Sequence, residues 1–304
     1  MIESYFARLV WLSLAVFFLV HLASGLAVSA ATPGMVRLME RLRPRLAARI
    51  LLIVRLFPLA LGLFAVAAAC VPSYLRLEPD EAAEEVGVVG GIAAGLAIAI
   101  LAVGMYRGVR SWVRSRRWLN DVAGSGAPVL AIAGFVRTRM VISPIVREEL
   151  PADELAVAVR HEEAHRAAFD NCKRLILALT PGLLPGVHGF KLLEREWLRF
   201  TEWAADDDAV QGDNWRSLAL ASALVRVARL GTVEAPLFSS LLDGGALSQR
   251  VDRLMSPARP DPWDAQPAVI SAAAALTVIA CAVSFAMRPV ILEWVHELLE
   301  QLIR

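Results

Sequence analysis

The sequence predicts a mostly α-helical, polytopic membrane protein with four transmembrane helices and one α+β domain on the cytoplasmic side. Three observations carry this expectation. Hydrophobic residues make up 57% of 304 positions, and mean hydropathy is +0.54. Apolar stretches of the roughly 20 residues needed to cross a bilayer recur along the chain. Their flanking charges alternate in sign from one connecting segment to the next.

Residues 1–106 are expected to hold three spans, at about 9–30, 51–71 and 86–106. Pro58 is expected to kink the second, and Arg55 to snorkel from it to the interface. Arg37, Arg41, Arg43, Arg45 and Arg49 lie between the first two spans, against Glu40. Glu78, Asp80, Glu81, Glu84 and Glu85 lie between the second and third, against Arg76. Arg107, Arg110, Arg114, Arg116 and Arg117 follow the third. Positive charge stays inside, so both termini are expected outside and the segment after residue 106 inside. A cleaved signal peptide ending at Val28-Ser29-Ala30 is the alternative for the first span. The long apolar run and the lack of a basic leader favour a retained helix. Gly87, Gly91 and Gly95 form a small-residue stripe on the third span, suited to close packing within the chain or to a homo-oligomer. A merely Gly-rich span is the other reading. His21 is expected to hydrogen-bond a neighbouring helix.

Residues 107–266 form the expected soluble domain, followed by a fourth span at 267–288. Arg107–Asn120 reads as a basic helix leaving the membrane, with Gly124-Ser125-Gly126 as a joint. Val129–Ile132 and Met140–Ile142 read as short strands around a turn, and Ser143-Pro144 as a stop. A substrate segment adding as a strand beside residues 138–143 is a further expectation. A helix opens at Pro151, with Asp153 and Glu154 in its first turn and an apolar stripe of Leu155, Ala158 and Val159. Residues 174–190 are apolar but broken by Pro181-Gly182 and Pro185-Gly186. Lys173-Arg174 on one side and Lys191 and Arg195 on the other suggest a re-entrant or interfacial hairpin. A buried soluble hairpin is the alternative. Further helices are expected at Lys191–Val210, from a cap at Asn214 to Leu230, and at Leu247–Met255. Residues 289–304 are amphipathic and suited to the membrane surface. The three cysteines show no disulfide or metal-binding spacing.

The Pro151 helix carries His161-Glu162-Glu163-Ala164-His165, an H-E-x-x-H pattern. Histidines at i and i+4 share one helical face, so both imidazoles can reach one Zn²⁺. Glu162 lies beside them, where a carboxylate can take a proton from a polarised water. Catalytic zinc needs a third protein ligand. Glu194, Glu196, Glu202 and Asp206 are the downstream candidates. Glu202 and Asp206 share a face, and small Ala204 and Ala205 permit close approach of another helix. An Asp one turn after a ligand Glu can accept from a histidine N–H and fix its tautomer.

Ile142-Ser143-Pro144, Leu150-Pro151, His161-Glu162-x-x-His165, Asp170-Asn171, Glu202-x-x-Ala205-Asp206 and Arg250-Val251 with Arg253-Leu254 resemble the BlaR/MecR-type membrane zinc metallopeptidases. The resemblance implies a zincin-like α+β metallopeptidase domain and regulated proteolysis in the bacterial inner membrane. It implies His161, His165 and Glu202 as metal ligands and Glu162 as general base. Asp206, Asp170 and Arg250 would support the site, with Arg250 as a candidate oxyanion donor. Expected partners are a protein substrate, such as a cytoplasmic transcriptional repressor or the chain itself, and the lipid bilayer. No nucleic acid is expected. Glu163 departs from the apolar residue common at that position. Few residues follow the fourth span, so the penicillin-binding sensor domain of the family's sensors is not expected. HtpX-type quality-control proteases share the ligand logic, and a non-catalytic membrane scaffold is the third possibility.

Overall fold

The computed structural model describes residues 2–77, 87–125, 128–135, 138–182, 188–230 and 244–256, with 288–290, 293–295 and 297 near the C-terminus. The chain is mostly helical, with one small sheet. Three helical segments are long and apolar enough to cross a membrane: Tyr5–Met39, Pro44–Leu77 and Val88–Trp118. The expected fourth span, the acidic loop at 78–86 and most of the amphipathic tail lie outside the described residues.

Helix α1 (Ile2–Met39) runs well past the expected 9–30 and carries Pro33 in its interior. Helix α2 (Pro44–Ala65) opens on proline, whose missing N–H costs nothing in a first turn. It continues through Pro58, and its irregularity falls later, at a π segment spanning Val66–Cys70, before α3 (Val71–Leu77). Helix α4 (Val88–Ser125) is unbroken, so the expected basic helix at Arg107–Asn120 is the continuation of the third span. It packs on α1 through Ala93, Ala94 and Ala97 against Ala15, Phe17 and Phe18. A Cβ added at Gly91 or Gly95 would meet no atom of another element within 4 Å. Close approach falls instead on Gly104 and Gly108, which face Leu179.

The domain beyond α4 begins with β1 (Leu130–Ala133), paired antiparallel to β2 (Arg139–Ile142). Ser143 does not simply stop the strand. Its hydroxyl accepts from Val146 and caps a short helix, α5 (Pro144–Glu149). Helix α6 (Ala152–Ala167) carries the H-E-x-x-H pattern. Glu154, expected to serve the helix dipole, is buried and accepts from Ser222 Oγ at 2.7 Å and Arg226 Nε at 2.9 Å. Phe169 adopts φ 57°, and α7 (Asp170–Leu179) turns back from there. A left-handed non-glycine residue costs about 1–2 kcal/mol, so the reversal is tight and locally strained. Helices α8 (Gly189–Val210), α9 (Asn214–Arg229) and α10 (Gly244–Met255) complete the domain. The cap of α9 is Asp213, not Asn214, and its carboxylate accepts from Trp215 and Arg216 N–H.

The spans and the domain share contacts. Leu51, Ala47 and Met39 pack with Leu193, Trp197 and Phe200 of α8. His21 Nε2 lies 3.2 Å from the Gly182 carbonyl, so the described part of segment 174–190 reaches α1 at the middle of a candidate span. Residues 183–187 of the expected hairpin lie outside the described residues. Arg55 does not snorkel. It is buried, donates to Glu194 Oε1 at 2.9 Å and stacks 4.2 Å over the Phe190 ring. A carboxylate within reach of a buried guanidinium removes its reason to seek water.

The close α4–α7 contact yields a test. A Cβ at Gly104 would lie 2.5 Å from the Leu179 carbonyl oxygen, a backbone atom that cannot step aside cheaply. Gly104→Ala is expected to destabilise the chain by about 1–3 kcal/mol, read as a lowered unfolding temperature in detergent. Gly95→Ala, where an added Cβ meets nothing within 4 Å, is expected not to destabilise the chain and to gain up to about 1 kcal/mol from helix propensity.

Candidate metal centre

Two helices build the centre. Along α6, residues 161 and 165 are one turn apart and face α8. Along α8, residues 202 and 206 are one turn apart and face α6, and Ala205 beside them is buried. His161, His165 and Glu202 each offer an atom within 4.8 Å of the others. His161 Nε2 lies 3.1 Å from His165 Nε2. Glu202 Oε2 is 3.5 Å from His161 Nε2, and Oε1 is 3.4 Å from His165 Nε2.

These separations have a chemical meaning. A tetrahedral ion with bonds of about 2.05 Å has ligand–ligand edges of about 3.3 Å. The two imidazole nitrogens lie near such an edge, and the Glu202 carboxylate sets one oxygen near each of them, a donor set that suits a zinc-like cation. Glu194 and Glu196, the other candidates for third ligand, face elsewhere. Glu194 pairs with Arg55, and Glu196 lies 2.7 Å from Arg199.

The outer nitrogens of both imidazoles have partners. His161 Nδ1 is 3.0 Å from Asp206 Oδ1, and His165 Nδ1 is 2.9 Å from Asp170 Oδ2. An N–H donated by His165 to Asp170 leaves its Nε2 as the lone-pair nitrogen aimed at the centre, and the Asp206 carboxylate beside His161 Nδ1 favours the same tautomer there. The reversal at Phe169 is what brings Asp170 back to His165. Lys173 donates to Asp170 Oδ1 at 2.9 Å.

Arg250 and Arg174 hold the acidic side. Arg250 is buried and donates to Asp206 through Nε at 2.9 Å and Nη2 at 2.6 Å. Its Nη1 is 3.2 Å from Glu202 Oε2. The guanidinium thus serves two buried carboxylates, and its Nη2 also lies 3.4 Å from His161 Nε2. Arg174 Nη2 donates to Glu202 Oε1 at 3.2 Å. Sequence reasoning missed this residue, reading Lys173-Arg174 as flanks of a membrane hairpin. The signal available was position: Arg174 lies one turn after Asp170, on the same side of α7.

Burial is the largest influence on each ionisable group here, and it opposes the charged form. Hydrogen bonds and opposite charges overcome it in most cases. Asp206 and Glu202 hold the His161 pKa above its ordinary value. Glu202, Asp170 and Glu162 push His165 up to about 10. The Arg250 charge and the His161 hydrogen bond bring Asp206 down to about 2, and His165, His161 and Arg250 hold Glu202 well below the usual carboxylate range. The His165 hydrogen bond and charge, with Lys173, lower Asp170. For Glu162 burial prevails, and its pKa is raised. The cluster therefore attracts positive charge, and protons compete for the nitrogens that would bind a cation.

Glu162 is buried, and its Oε2 accepts from Ile132 N–H of β1 at 3.2 Å. The strand nearest the centre is thus β1. The expectation of substrate pairing beside residues 138–143 concerns β2, which lies on the other side of β1. A cleft of about 450 Å³ opens beside His165, lined by Ile132, Phe135, Thr138, Glu163, Arg166 and Phe169 among others. Glu163, the unusual acid of the motif, is exposed and lines this cleft.

Comparison with known protein families, with curated proteins and with solved structures returns no match. The likeness to BlaR/MecR-type peptidases rests on the motif residues alone.

Metal content tests the geometry. The purified chain is expected to carry one zinc, and His161→Ala, His165→Ala and Glu202→Ala to lose it. Asp206→Asn and Asp170→Asn are expected to weaken zinc by about 10–100-fold, measured by competition with a chelator of known affinity.

Proposed function

We propose that the chain is an integral-membrane zinc endopeptidase of the bacterial inner membrane, with its site on the cytoplasmic side. It performs site-specific proteolysis of a cytoplasmic regulator, or of itself, in signal transduction. The observation that carries this reading is the approach of His161, His165 and Glu202, whose ligand atoms lie within 4.8 Å of one another, with Glu162 buried alongside.

His161, His165 and Glu202 would hold the ion, a donor set of two nitrogens and one oxygen that leaves a fourth position for reaction. When bound, zinc polarises a scissile carbonyl and lowers the pKa of water at the site. Asp206 and Asp170 keep both imidazoles in the tautomer that presents Nε2. Glu162 takes the proton from the attacking water and returns it to the leaving nitrogen. A peptide reaches these groups through the cleft beside His165, where Ile132, Phe135 and Phe169 give apolar contact and Glu163 and Arg166 give charge.

Sidedness agrees with a cytoplasmic site. Arg45 of the arginine-rich segment pairs with Asp208, and Glu40 accepts from Arg199 at 3.1 Å. Both α8 residues lie on the helix that carries Glu202, which supports a centre on the side of the arginine-rich segment. The regulator as substrate follows from the family likeness.

Glu162→Gln is expected to retain stoichiometric zinc and to lower cleavage by at least about 10²-fold. Quantitative proteomics of cells carrying the wild type or Glu162→Gln reads the outcome. A small set of proteins should accumulate uncleaved in the variant. Identical proteomes, with zinc bound in both, would overturn the enzymatic reading.

A further inference from the structure

Strand β1 has two hydrogen-bonding edges, and only one faces β2. Ser143 N–H donates to the Val129 carbonyl, and the register pairs Ala131 with Val141 and Ile132 with Met140. Bonded pairs alternate in an antiparallel ladder. Ala131 and Ala133 therefore direct their backbone groups at β2, and Ile132 directs its own at the helices. Ile132 is buried, so these groups need partners inside the protein.

Two side chains supply them. Glu162 Oε2 accepts from Ile132 N–H. Asn171 Nδ2 donates to the Ile132 carbonyl at 3.0 Å and to the Gly134 carbonyl at 3.0 Å. Both acceptors are carbonyls, so the amide presents its NH₂ group to them. Gly134 ends the strand at φ 98°, a value suited to glycine. Together Glu162 and Asn171 provide the acceptor and the donor that a residue of a neighbouring strand would provide. Asn171 is buried, at the start of α7, beside Asp170.

We propose that Asn171 is a positioning residue for Glu162, acting through Ile132. The Asn171 amide holds residue 132 from its carbonyl side, and the Ile132 N–H in turn fixes the Glu162 carboxylate. The outer edge of β1 is thereby closed at Ile132, so a substrate cannot pair with the strand across that residue. The inference takes Glu162 as the proton-transfer group of the proposed reaction.

Hydrogen exchange resolved to single amides, on the detergent-purified full chain, tests this. Glu162→Ala removes the acceptor. Asn171→Asp is nearly isosteric but offers the two carbonyls no donor, and Asn171→Ser is a smaller, neutral second variant. Each is expected to speed exchange at the Ile132 amide by about tenfold, with Ala131 and Ala133 unchanged. Combining Glu162→Ala with Asn171→Asp should add nothing further at Ile132, because both act on one bond. Unchanged protection at Ile132 in both Asn171 variants overturns the proposal. Equal loss across residues 131–133 overturns it too, because that pattern marks a loosened hairpin. Absence of zinc from the wild type would sink the protease reading and leave the exchange pattern standing. Zinc present with the wrong exchange pattern would sink only the positioning role.

Discussion

Helices α6 and α8 pack with two imidazoles facing two carboxylates, and the rest of the domain is arranged to make that burial tolerable. Glu162, Asp170, Glu202 and Asp206 are all buried within a small volume. An unpaired carboxylate in such surroundings costs several kcal/mol. Arg250 answers Asp206 and Glu202, Arg174 answers Glu202, and Lys173 answers Asp170. Each cation comes from a different position: α10 supplies the first, and successive residues of α7 the other two. The surrounding helices are thus held in register by the charge they must neutralise.

The same helix ties the centre to the membrane-spanning part. Along α8, Glu194 meets Arg55, Arg199 meets Glu40, and Asp208 meets Arg45. These contacts differ in weight. Arg45 and Asp208 are half-exposed, and such pairs contribute little, about 0–1 kcal/mol. The Arg55 side chain is 2% exposed, and removing one partner of a buried pair costs about 3–5 kcal/mol. Apolar packing of Leu51 with Leu193, Trp197 and Phe200 joins the same two helices. The position of Glu202 therefore depends on side chains of the second candidate span as well as on the domain.

Legibility in the sequence followed the range of the interaction. The i, i+4 histidines and the i, i+4 acids are local patterns, and helix geometry alone places each pair on one face. The strands at 130–133 and 139–142 and the helices α6, α8, α9 and α10 were within a few residues of expectation for the same reason. Arg55, Arg174 and Asn171 were misread or passed over because their partners lie far along the chain. Arg55 finds Glu194 139 positions away, and Asn171 finds Ile132 39 positions away. Within the chain, the glycine contacts also depend on distant partners. Small residues permit close approach, but which of them meets a neighbour depends on where α7 ends, and that is at Gly104 and Gly108.

By itself the sequence determined the apolar helices, the charge asymmetry of their connections and the two helical faces that carry metal-ligand chemistry. These follow from periodicity, composition and the fixed geometry of a helix turn. Only the tertiary structure decided that the two faces meet, that Glu202 and not Glu194 or Glu196 joins the histidines, and that Arg250 supports carboxylates. Those outcomes depend on non-local packing and on which buried charge finds its counter-charge, and neither can be read from spacing along the chain.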